Sequence, residues 1–277
     1  MNAFQSMYKP PAWLLAFSLS AIVVGCGSGS DSAAPPATPA VNQAGGACTD
    51  AACVPLGSAA SFVILAQAGV TNVPSSPITG NVGAHPITGT AIGVTCAEVS
   101  GTIYDTDGAY TGGGAADVTC RVTDATLLGT AVTDSIAAYN DADGRPAGVG
   151  ATNLNRGGGT LTNDTLVAGT YTWDGTLELP TDLTLSGSAT DVWIFQIDGN
   201  LNQAAATRVN LTGGALSKNV FWQVGGAAVN IGTTAHLAGI IITGTTVAMG
   251  AGATLDGRIY SGTSVTLDQN TITRPAL

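Results

Sequence analysis

The sequence predicts a mostly β chain wound into a solenoid, with one long helix packed alongside. Three observations carry that prediction: a composition poor in charge and rich in small residues, an 18-residue self-similarity near the C-terminus, and a single segment whose apolar residues fall at helical spacing. Only 9% of the 277 residues are Asp, Glu, Lys or Arg, while 38 are glycine. The formal charge of −10, with 8 basic residues scattered along the chain, argues against a nucleic-acid phosphate backbone as partner, because such binding relies on clustered Lys and Arg.

Residues 1–25 read as an export signal. Lys9 precedes an apolar stretch from Trp13 through Phe17 and Ile22 to Val24, too short for a membrane-spanning helix, which needs about 20 residues. The ending Val23-Val24-Gly25-Cys26 resembles a bacterial lipobox, so Cys26 is expected to be acylated and to supply the only membrane attachment. Gly27 in place of Asp favours the outer membrane of a Gram-negative host; without acylation the chain would be secreted. Residues 26–56, rich in Ser, Ala, Pro and Gly, read as a flexible tether, and residues 57–277 as one domain. Four cysteines remain, and in an oxidising compartment Cys48–Cys53 and Cys96–Cys120 are the expected disulfides. Their spacing fits no zinc pattern, and His85 and His236 lie far from them, so neither metal nor cofactor is expected.

The repeat is clearest near the C-terminus. Ala228-Val229-Asn230-Ile231-Gly232 recurs as Thr246-Val247-Ala248-Met249-Gly250 and again as Ser264-Val265-Thr266-Leu267-Asp268. The stretch Leu237 to Ile241 aligns in the same register with Leu255 to Ile259, giving about three short strands per coil. Strand residues alternate faces, so Val247, Met249, Val265 and Leu267 should point inward and Thr246, Ala248, Ser264 and Thr266 outward. Upstream, Val192 to Ile197 parallels Val220 to Val224, with large side chains plugging the interior.

One segment, about residues 124–140, breaks the β pattern. Leu128, Val132, Ile136 and Tyr139 lie at helical spacing, Thr123 or Asp124 can cap the start, and Gly144 follows the end. That stripe should pack against one flank of the solenoid.

From residue 57 to 273 the chain resembles the bacterial and fungal ice-binding proteins. The matching landmarks are Phe62 to Ala66, Gly69 to Asn72, Ile78 to Gly83, Ala138 to Asp141, Gly169 to Tyr171, Phe195 to Ile197, Asn219 to Val224, and Val265 to Thr273, all in order. The resemblance implies an irregular right-handed β-helix of triangular cross-section with a helix alongside, and a stacking order that differs from the sequence order. It implies a capping role for the Gly-rich insert at about residues 96–120. It implies adsorption to an ice crystal surface, as an antifreeze or recrystallisation-inhibiting protein; a monomer is expected.

Thr243-Gly244-Thr245-Thr246 fits a Thr, small, any, Thr-or-Asn pattern that some family members carry, and Ser261-Gly262-Thr263-Ser264 is a weakened copy. The expected ice-binding residues are therefore Thr243, Thr245, Thr246, Ser261, Thr263, Ser264 and Thr266, with Thr88 and Thr90 continuing the file. Threonine is also an ordinary strand former on a solvated surface, so the residues alone do not select this reading. Ile242 and Tyr260 would interrupt the array, and Arg258 would put a long charge beside it. Two readings from other classes compete. A β-helix enzyme acting on polysaccharide would need paired carboxylates, yet Asp105-Thr106-Asp107 and Asp141-Ala142-Asp143 read as turn formers in Gly-rich loops, so no enzyme is expected. A cell-surface adhesin or glycan-binding solenoid stays open.

Overall fold

The computed structural model describes residues 52–148 and 153–275. The export signal, Cys26, Cys48 and nearly all of the tether lie outside the described residues, and Cys53 is disulfide-bonded. A 3-10 turn at Gly57–Ser61 leads into β1 (Phe62–Ala66), β2 (Gly69–Val73) and β3 (Ile78–Thr79). A second circuit holds β4 (Asn81–Ala84), a 3-10 turn at Gly89–Ala91 and β5 (Val99–Ser100), followed by β6 (Ile103–Asp105) and β7 (Arg121–Thr123). Helix α1 (Ala125–Asp143) precedes β8 (Thr165–Leu166), β9 (Gly169–Trp173), β10 (Leu177–Leu179), β11 (Leu183–Ser186), β12 (Trp193–Ile197), β13 (Leu201–Gln203) and β14 (Val209–Thr212). The remaining coils are β15 (Val220–Val224), β16 (Ala228–Ile231), β17 (His236–Thr243), β18 (Thr246–Met249), β19 (Thr254–Ser261), β20 (Ser264–Asp268) and β21 (Thr271–Thr273).

Parallel strands stack into three faces. The helix-side sheet runs β7-β6-β4-β1-β19-β17-β15-β12-β9, and the open sheet runs β10-β13-β16-β18-β20-β2. The third face runs β8-β11-β14 and continues, through a bridge from Arg208 to His236, into the first halves of β17 and β19 and then β21, β3 and β5. Strands β17 and β19 turn the corner between the third face and the helix-side sheet. At that corner Gly239 takes a φ of +126°, and a Cβ there would meet Trp222 Nε1 at 2.6 Å.

The order of stacking departs from the order of the chain, as the resemblance implied. The first coil sits in the middle: β1 pairs with β4 on one side and with β19 on the other, and β2 pairs with β20. The chain builds outward from β1 to β7, and after α1 it returns coil by coil from β9 to the same seam. Nineteen residues of helix span about 28 Å at 1.5 Å each, the width of about six strands.

Both sides of the helix-side sheet are buried, which explains strands such as Phe62–Ala66 and Trp193–Ile197 that are buried at every position. Inward, Tyr171, Phe195 and Trp222 stack on successive coils with ring centroids 5.6 and 4.0 Å apart. Outward, Phe62, Leu65, Ile194, Phe221, Ile240, Ile242 and Tyr260 form a second core under α1. Asp124 caps the helix, its carboxylate accepting from Leu127 N at 2.9 Å. At the other end Gln196, reaching from β12, donates to the carbonyls of Ala142, Asp143 and Arg145 at 2.8, 3.1 and 2.9 Å.

The buried stripe of α1 differs from the expected one. Leu128 and Val132 are buried, but the stripe continues through Ala131, Ser135, Ala138 and Ala142, and Ile136 is 47% exposed. The sheet below supplies the large side chains, so the helix fits with small ones. Arg258, Ile242 and Tyr260 also correct an expectation: all three point to the helix side and are buried, with Arg258 Nη2 bonded to the Ala60 carbonyl and the Tyr260 hydroxyl to that of Ala59.

The insert at 96–120 supplies β5 and β6, which extend two faces, and Cys96 and Cys120 are disulfide-bonded. Within it, the buried Glu98 carboxylate accepts hydrogen bonds from Asn72 Nδ2, Ser76 N, Thr95 N and Thr95 Oγ1 at 2.7–2.9 Å. Burial alone would push this carboxyl up, but the donors from Thr95, Ser76 and Asn72 outweigh it and hold it below the usual range. A depressed carboxyl stabilises the fold above its unfolded value, about 4.5, and that contribution is lost as the pH falls through the folded value. Glu98→Gln should therefore lower stability by about 1–3 kcal/mol at neutral pH and flatten its decline between pH 5 and more acid conditions, as read by denaturant unfolding across that range. An unchanged pH profile would show that Glu98 does not fasten this end.

Candidate functional site

The three faces differ in what they offer to solvent. The helix-side sheet is covered by α1. The third face carries Asp182, Arg208 and Asp256 and is crossed by the turn Ser217–Asn219, whose Ser217 hydroxyl donates to Asp256 Oδ2 at 2.9 Å. The open sheet has no such cover among the described residues. Its outward side chains over β16, β18, β20 and β2 are Ala228 and Asn230, Thr246 and Ala248, Ser264 and Thr266, then Thr71, with Glu178 and Thr160 toward one end and Asp268 and Val73 at the rim.

Backbone pairing fixes this array at the inter-strand repeat of about 4.8 Å. Ala248 lies between Asn230 and Thr266, and Thr266 between Ala248 and Thr71. The Thr71 hydroxyl donates to Thr266 Oγ1 at 3.2 Å, and Thr246 and Thr263 Oγ1 atoms are 3.0 Å apart across the coils. The inward partners Val229, Ile231, Val247, Met249, Val265 and Leu267 are all buried, so the alternation read from the repeat holds on this sheet.

Thr246, Ser264 and Thr266 stand on the open sheet, and Thr245 and Thr263 are half-buried on the corner that leads into it. Thr245 donates to the Gly226 carbonyl at 2.8 Å. Thr243 and Ser261 are elsewhere: they are the last residues of β17 and β19, on the inner side in register with Val224 and Ala66, and only 4% and 3% exposed. Thr243 donates to the Val224 carbonyl at 2.9 Å and Ser261 to the Thr245 carbonyl at 2.6 Å, so these hydroxyls fasten the corner from within. Thr88 and Thr90 follow on the same corner one coil beyond Gln67-Ala68-Gly69, which carries no hydroxyl. Thr90 is exposed, whereas Thr88 is tied to Asp107, whose carboxyl is held below the usual range by hydrogen bonds from Thr88, Gly89 and Ala109. Thr71 was missed because it precedes Thr266 by 195 residues, outside the 18-residue repeat. A visible signal was the match of Gly69-Val70-Thr71 to Ser264-Val265-Thr266.

Three of the four carboxylates weighed for catalysis, Asp105, Asp107 and Asp141, are tied into the fold. Asp105 is buried and accepts from Tyr110 N and the Thr123 hydroxyl at 3.0 and 2.6 Å. Asp107 accepts from Gly89 N and Ala109 N at 3.0 and 3.1 Å. Asp141 and Asp143 lie in the last turn of α1 rather than in a Gly-rich loop, and Asp141 pairs with Arg145 at 2.8 Å.

Residues 64–273 match a family model described as ice-binding-like. An ice-binding protein of Flavobacterium frigoris (strain PS1) is 47% identical over 222 residues, covering 80% of this chain and 76% of that protein. One from Colwellia sp is 45% identical over 222 residues, covering 80% of this chain and 84% of that one. Among solved structures, the ice-binding protein LeIBP from an Arctic yeast, described for its antifreeze activity, superposes with a TM-score of 0.72 at 34% identity, covering 83% of this chain and 97% of its own.

The placement of the hydroxyls has a measurable consequence. Thr243→Val removes a buried hydrogen bond with little change of shape and should cost about 1–2 kcal/mol in chemical denaturation, whereas Thr266→Val should stay within about 0.5 kcal/mol. Equal effects at the two sites would contradict the inner position of Thr243.

Proposed function

Because the chain belongs to the ice-binding-like family, we propose that it adsorbs to ice through the open sheet, with Thr71, Thr246, Ala248, Ser264 and Thr266 as the central contacts and Thr245, Thr263 and Thr90 along the corner. The observation that carries this is the uncharged, small-residue array of Thr246, Ala248, Ser264, Thr266 and Thr71, held at one spacing by backbone pairing, with Asp268 and Val73 beyond it at the rim. That spacing lies close to a repeat of the ice lattice. A threonine offers a hydroxyl that can join an ordered water layer and a methyl that orders water beside it, while alanine and glycine keep the surface flat. No single contact of this kind is strong, and retention comes from many made at once. Thr243 and Ser261 set the corner from inside and do not meet the ice.

The relatives are named as ice-binding proteins, and we propose no catalytic role. In the same reading the exported chain is held at the membrane through acylated Cys26 and presents the sheet outward as a monomer. What supports this part is the sequence alone: the apolar signal, the lipobox-like ending and the tether of residues 26–56.

Single ice crystals grown slowly in the purified protein should be faceted, with a gap between melting and freezing. Thr266→Tyr should abolish both by lifting the sheet from the lattice, and Thr271→Tyr, exposed on the third face, should leave them intact. Crystals that grow as smooth discs in the unaltered protein would remove the ice reading.

A further inference from the structure

The open sheet is not uniform along its length. Its central outward file, one residue per coil, reads Thr160, Glu178, Asn202, Asn230, Ala248, Thr266, Thr71. Glu178, Asn202 and Asn230 are joined in one direction: Asn230 Nδ2 donates to Asn202 Oδ1 at 2.8 Å, and Asn202 Nδ2 donates to Glu178 Oε1 at 2.7 Å. The amides therefore lie along the file with their donors aimed at a carboxylate, and such chains strengthen one another. Past Ala248 the hydrogen bonding changes to hydroxyl pairs, Thr71 with Thr266 and Thr246 with Thr263. At the far end the file stops at Gly93, whose carbonyl faces the Gly112–Gly114 turn of the insert.

Resting on the ice reading, we propose that the Glu178-Asn202-Asn230 ladder is the boundary of the ice footprint along the stack, confining adsorption to the part of β18, β20 and β2 inside the Asp268 rim and so limiting its strength. A carboxylate holds its hydration water, and separating the two is costly. A growing lattice cannot reorganise around a fixed charge. The two amides extend the influence of that charge over two further coils, because each is turned along the sheet to serve it. Nothing in the backbone imposes the limit: β10, β13 and β16 pair in the same parallel register as the coils that follow. The side chains alone divide the sheet.

The test replaces the ladder with the residue used on the other half. The triple variant Glu178→Thr, Asn202→Thr, Asn230→Thr should raise the gap between melting and freezing roughly two-fold or more at equal concentration, since the coils that the central file offers to ice rise from three to six. Unchanged or weaker activity, with the circular dichroism spectrum retained, would overturn the boundary. If the triple variant does not fold, the converse substitution Ala248→Asn moves the boundary one coil into the footprint: reduced activity is expected, and unchanged activity overturns the proposal. An unaltered protein that fails to shape ice would remove the ice reading and the boundary together, whereas one that shapes ice and gains nothing from the triple variant loses only the boundary.

Discussion

The parallel backbone pairing between coils is the constraint on which everything else in this molecule depends, and its most demanding instance is the seam between the first coil and the last. There β1 meets β19 and β2 meets β20, joining residues nearly two hundred positions apart. Closing so distant a contact costs chain entropy that local contacts do not repay, so the seam has to be supported by burial on both sides. The aromatic stack of Tyr171, Phe195 and Trp222 fills the lower coils, and branched residues such as Ile241, Ile259, Ile64 and Val82 continue the same inner file across the seam.

The open sheet inherits its regularity from that pairing. Thr71 comes from the first coil and Thr266 from the last, yet they stand as neighbours with hydroxyls in contact. A flat array spanning the seam exists only once the chain has closed on itself. The helix and the third face take on the remaining tasks: α1 covers the apolar back of the helix-side sheet, and the charged groups Asp182, Arg208 and Asp256 gather on the third face. Keeping charge out of the Ala248-Thr266-Thr71 part of the open sheet costs no stability, because surface ion pairs contribute little in any case.

Much of this was legible in the residues. The 18-residue repeat gave the register of β16, β18 and β20 residue for residue, and the alternation within each copy gave the inner and outer sides. The resemblance supplied the stacking order, which no repeat could reveal. Thr243 and Ser261 were misplaced because the chain turns a corner at Gly244 and Gly262, and the residue before each glycine still obeys the alternation of the preceding strand. Ile136 was misplaced because helical spacing identifies a stripe but not the size of the side chains beneath it. Arg258 and Tyr260 seemed to intrude on the array because the eight-residue strand β19 spans two faces, and only its fold shows which half meets the helix.

In the proposed function, ice retains the protein through the uncharged Ala248, Thr266 and Thr71 at the middle of the open sheet. The most direct measurement is uptake of fluorescently labelled protein into a slowly growing ice hemisphere, comparing a carboxylate placed at the middle of the open sheet, Ala248→Asp, with one on the exposed side of α1, Ala137→Asp. The first should be excluded from the ice while its fold is unchanged, and the second taken up as fully as the unaltered protein. Equal uptake of both would contradict the proposed function.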